Sequence, residues 1–203
     1  KDLAPAHNSL KAHVLYALLD YERKAGRYDH ALFLSYIKLP RPMPYMEPRY
    51  LQRNDVRRHH VNLGQDFAAF THCRPVRDDT ALVRDYLLHF LAREDDFRPW
   101  TEWLRDTFVK PLMAEAKIVS GAPEPERWAS MLSPSVYQAL KDRVDIGLAV
   151  TNPHKFAVGD EVTLLADVKN VEKLRVKIYQ INAFNVYLAT GQEVSTGLAL
   201  DGL

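Results

Sequence analysis

Two short runs hold the residues best suited to chemistry: Arg57-Arg58-His59-His60 and His72-Cys73. Imidazole and thiolate are the ligands zinc prefers, four to an ion in a tetrahedron. His59 and His60 are adjacent, so their rings diverge on either a helix or a strand and are a poor pair for one metal. A thiolate also acts as a nucleophile when a base lies beside it. A hydrolase or metal-binding enzyme using His59, His60, His72 or Cys73 is therefore one alternative for the function. No local signature accompanies these residues, and a lone cysteine is ordinarily a packed thiol. Carboxylates gather at Asp78-Asp79 and at Glu94-Asp95-Asp96. Both groups fall at helix ends, where acids cap or complement the dipole. There is no phosphate-cradling glycine loop and no nucleophile elbow. No residue of the sequence is expected to be catalytic, and neither a metal site nor a cofactor is expected.

The first run is also basic. In "RYLQRNDVRRHH" the residues Arg57, Arg58, His59 and His60, with Tyr50 interleaved, are the candidates for binding an anionic partner. A solvated helix face is the competing account of the same charges. The formal net charge of +1 gives no global field to favour a polyanion, so nucleic acid is not an expected partner. Trp100 and Trp103 stand at helical spacing, which favours the core over a sugar platform.

These residues must be positioned by helices. From Asn8 to Ala25, Leu10, Val14, Leu18, Tyr21 and Ala25 fall three or four apart on one helical face. Gly26 sits where that helix would stop, and a second follows over about 28–39. The stretch "LLDYERKAGRYDHAL" resembles the middle of a tetratricopeptide-type repeat, which makes a helical-repeat adaptor a further alternative. Pro40, Pro42, Pro44 and Pro48 then impose an extended segment, pinned by Met43, Tyr45 and Met46. A short helix is expected over 48–59. Asp78 or Asp79 caps a helix over 80–92 that buries Leu82, Val83, Tyr86, Leu87 and Phe90. Another is expected over 99–119, kinked at Pro111, with short helices to about residue 143.

Near Val144 the period changes from 3.6 to two. Strands are expected near 146–151, 161–168, 173–187 and 195–200, the third bent near Ala183. The fold class is α+β: a mostly helical domain over 1–143, then an antiparallel β region over 144–203. With 203 residues, 47% apolar and 26% charged, the chain can bury one large core or two small ones. One cysteine excludes an internal disulfide, and no apolar run approaches a membrane span.

"FAVGDEVTLLADVKNVEKLRVKIYQIN" resembles the first half of a macroglobulin-type module, the fibronectin-like β-sandwich of alpha-2-macroglobulins and their bacterial relatives. Phe156, Gly159, Asp160, Val162, Val176, Ile178 and Tyr179 carry the likeness; Val158 stands where that family usually has proline. The resemblance implies an incomplete sandwich in a fragment of a larger bacterial protein, extracytoplasmic (periplasmic or secreted). The expected function is a non-catalytic structural or interaction segment. Its expected partners are other modules of the same polypeptide or a separate protein. The chain has neither a thioester motif nor a bait region, so the likeness carries no inhibitor activity with it.

Overall fold

A computed structural model describes residues 4–72, 74–153 and 155–191 of the chain. The fold is α+β and mostly helical, with a small antiparallel sheet towards the C-terminus. Helix α1 spans Asn8–Lys24 and α2 spans His30–Ile37. Between them the chain turns back through a Schellman-type ending: Arg27 N–H reaches Glu22 O and Gly26 N–H reaches Arg23 O. Asp29 caps α2 by accepting from Leu32 N–H at 2.9 Å.

Helix α1 has two apolar stripes, and the structure buries the less obvious one. Ala12 and Leu19 are fully buried, whereas Val14, Leu18 and Tyr21 are exposed. The stripe expected to pack thus faces solvent. Ala12 admits close approach, and Tyr86 Oη on a distant helix donates to Leu19 O at 2.9 Å, fixing which side turns inward.

The proline-rich segment forms an extended strap. Met46 and Leu104 make an antiparallel bridge, flanked by Glu47 N–H to Trp103 O and Arg105 N–H to Tyr45 O, each 2.8 Å. Tyr45 and Met46 are buried. This pairing also explains why a single helix over 99–119 does not form. The backbone at 103–105 is committed to the strap, so Arg98–Glu102 is a separate 3-10 turn.

Of the helix expected over 48–59 only one turn is present, α3 (Pro48–Leu51). Helix α4 is Ala68–Thr71 and α5 is Thr80–Leu91, the latter burying Leu82, Val83, Tyr86, Leu87 and Leu91. Helix α6, Asp106–Val119, contains Pro111. It packs along α5, and α7 (Pro125–Ala129) packs on α6. Helix α8, Pro134–Asp142, is capped by Ser133, whose hydroxyl accepts from Val136 N–H. The centre of the body is aromatic: Phe33 stacks on Tyr86 at 4.8 Å and Phe90 on Trp100 at 6.2 Å between centroids.

Strands β1 (Asp145–Leu148) and β2 (Ala166–Lys169) pair antiparallel, with Ile146 opposite Val168. The chain divides after Lys169 into two compact units. In the second, the expected strand over 173–187 is not formed: 173–182 has no assigned strand, and Ala183–Thr190 is helix α9, capped by Asn182 accepting from Asn185 N–H. Asn is a good cap and the following "AFNVYLA" has helical as well as strand propensity. The strand expected at 195–200 lies outside the described residues. A two-stranded sheet among the described residues is far short of the seven strands a sandwich needs, and the macroglobulin-like architecture is not what this sequence adopts.

Candidate functional site

The strap and the N-terminus of α5 meet at a buried ionic centre. Arg41 and Asp79 are both fully buried, with Arg41 Nε 2.8 Å from Asp79 Oδ2. Tyr36 donates to Asp79 Oδ2 at 2.6 Å and Tyr45 donates to Asp79 Oδ1. Arg41 Nε also lies 2.9 Å from Tyr45 Oη, and Nη1 donates to Tyr36 O at 3.0 Å and Leu39 O at 2.8 Å. The guanidinium carbon stands 4.3 Å from the centroid of the Tyr36 ring. Burial raises both phenol pKa values, opposed by the charge of Arg41 and aided by that of Asp79, so both tyrosines stay protonated donors. For Arg41 burial works against the charge, and Tyr45 and Asp79 outweigh it, so its pKa is raised.

Asp78 or Asp79 is the cap the sequence offers for α5, and the structure divides the two. Asp79 occupies the N-cap position of α5, but its side chain makes no capping bond and turns into the core. Asp78 does the local work, accepting from Thr80 N–H at 2.9 Å, and this hydrogen bonding lowers its pKa. One guanidinium nitrogen of Arg41, Nη2, has no acceptor among the described residues.

Arg41 forms part of the wall of a cleft of about 400 Å³, together with Pro42, Met43, His60, Val61, Asn62, Leu63, Gly64 and Arg77. Val61 N–H to Pro40 O at 2.7 Å ties one side to the strap, and Arg77 N–H to Leu63 O at 2.9 Å ties the other. Arg77 holds a left-handed backbone, φ 60°, unusual for a side chain with a Cβ.

The structure does not gather the sequence candidates at this cleft. His60 lines it, and His60 Nε2 lies 3.2 Å from Leu51 O, so that nitrogen carries the hydrogen. Arg57 and Arg58 are exposed after α3, and His59 is half-buried, its carbonyl accepting from Asn8 Nδ2 at 2.9 Å. Tyr50 is buried, its hydroxyl donating to Lys38 O. His72 is exposed at the end of α4, and Cys73 lies outside the described residues. Among the described residues no three His, Cys, Asp or Glu side chains converge as metal ligands. Glu94 and Asp96 serve local structure: Glu94 accepts from Trp100 Nε1 at 2.8 Å, and Asp96 from Arg98 N–H at 3.0 Å. Sequence reasoning passed over Arg41, Asp79 and Arg77 as site residues. The one available signal was "PRP", a charge placed inside an apolar strap.

A mostly helical α+β domain, with a neutralised ionic core behind an arginine-bearing cleft, is the class this architecture defines. The chain belongs to the family of actin-binding protein F N-terminal domains, whose sequence model matches residues 1–144. It is 28% identical over 206 aligned residues to the actin-binding protein F of Dictyostelium discoideum, covering 100% of this chain and 8% of that protein. The chain thus spans a small part of the relative's length. No solved structure matches.

These findings overturn the macroglobulin resemblance and what it implied. The family matched is a different one, the relative comes from Dictyostelium discoideum, and its name describes an actin-binding protein. The expected bacterial macroglobulin-like segment and its extracytoplasmic location fall with the likeness. The cause is physical: a glycine turn followed by alternating residues is shared by many β segments and specifies no particular partner sheet. No described helix is long and apolar enough to cross a membrane.

Proposed function

We propose that this chain is an actin-contacting domain, with residues 1–143 as the part that carries the activity. The observation that carries the reading is the family match over residues 1–144. That partner would place its work inside the cell. The contacts proposed are Arg57 and Arg58 after α3, with Arg77 in the cleft. Arg57, Arg58 and Arg77 are exposed and form no ion pair among the described residues. Arginines of this kind supply planar donors to carboxylates on a facing protein. Tyr50 and His59 act from behind, holding the turn that presents them.

Co-sedimentation of the 203-residue chain with filamentous actin tests this. The chain should pellet with filaments, release as salt rises, and lose at least about tenfold in affinity in Arg57→Glu/Arg58→Glu. A chain that stays in the supernatant at low salt under excess filament sinks the proposal.

A further inference from the structure

We infer that the cleft beside Arg41 receives a carboxylate-bearing, apolar-flanked segment of a partner protein, anchored by Arg77. The inference rests on the protein-binding reading above and deepens it by naming what the site takes. Three observations carry it. The clefts around Trp100, Ile146, Leu88 and Ala139 each contain at least one carboxylate, whereas this one contains none. Its exposed cation, Arg77, forms no ion pair among the described residues, and its backbone is fixed by the bond to Leu63 O. Behind these, fully buried Arg41 keeps Nη2 without an acceptor while its other nitrogens are all engaged. Asp79 already balances the charge of Arg41, so Arg77 supplies the net positive charge of the cleft.

The remaining wall decides between anions. Met43, Val61 and Leu63 are apolar, and they favour a carboxylate beside an aliphatic side chain over a bare inorganic ion. Met43 is unbranched and adapts to the shape presented. About 400 Å³ accommodates a few side chains, which fits a short extended segment and is too small for a folded element.

The test is an NMR titration of the ¹⁵N-labelled 203-residue chain with an acetylated and amidated Asp-Leu-Asp-Leu-Asp peptide. Saturable shifts are expected at the backbone amides of His60, Val61 and Arg77. Arg77→Gly should weaken binding at least about tenfold, and Arg77→Lys should restore part of it, because a point charge replaces the fork. Glycine relaxes the left-handed backbone, so the Arg77→Gly fold is kept; Arg77→Glu, which reverses the charge, provides a second variant and should abolish binding. The Asn-Leu analogue of the peptide should not bind. Shifts centred elsewhere, or a peptide affinity unchanged in Arg77→Gly, overturn the inference. So does tighter binding of inorganic phosphate or of phosphatidylserine vesicles than of the peptide. The titration contains no actin, so its failure and a failed co-sedimentation are read separately.

Discussion

At the scale of single residues, the Arg41–Asp79 centre concentrates the risk in this fold. A buried ion pair gives little net stability, since desolvation offsets most of its attraction, but losing one partner strands the other's charge in the core. Asp79→Ala should therefore cost about 3–5 kcal/mol, read as a fall in the urea midpoint with unchanged slope. It would also leave the hydroxyls of Tyr36 and Tyr45 without their carboxylate acceptor. Arg41→Met/Asp79→Leu should cost less than the sum of the two single changes, because the pair is one interacting unit. A loss below about 1 kcal/mol for Asp79→Ala would mean that the carboxylate is not holding the strap to α5. None of this was visible in "DD" before α5: two adjacent aspartates look interchangeable, and only the packing of Tyr36 and Tyr45 separates the cap from the core ion.

At the scale of elements, the ends and the buried face of α5 were legible, whereas the buried face of α1 was not. Gly26 was read as a stop, and the structure gives it φ +70° at the end of α1. A Cβ there would meet Val150 Cγ2 at 2.5 Å. Gly26→Ala should cost about 1–2 kcal/mol, the left-handed backbone supplying most of it. Val150 is exposed and can shift, so adding Val150→Ala should recover the steric part and leave the backbone part. Full recovery in the double variant would show that crowding dominates, contrary to this argument. The strap, α5 and the Ser133 cap followed from proline chemistry, periodicity and capping preferences. The exposed stripe Val14–Leu18–Tyr21 did not, because both sides of α1 satisfy a 3.6-residue period.

For the whole molecule, the contrast between the two ends of the sequence is the main feature. Among the described residues the buried hydrophobic core runs from Ala12 to Leu140, while Ile146, Leu148, Val162, Val176 and Ile178 are exposed. Strand-patterned residues with one sheet of two strands have little to pack against. The 203-residue chain should therefore enhance the fluorescence of the dye ANS, and a chain ending at Arg143 should lose most of that enhancement while keeping its cooperative thermal transition. Equal dye binding by both chains would place the accessible apolar surface on the helical body.

The sequence by itself determined the ends of α1 and α5, the Ser133 start of α8, the extended strap, and the change of period near Val144. Those follow from interactions spanning a few residues: caps, prolines and alternation. The tertiary structure alone decided which face of α1 is buried and which aspartate enters the core. Each depends on partners remote along the chain, as Tyr36 and Asp79 are across 43 positions, and local patterning carries no record of which remote surface will arrive.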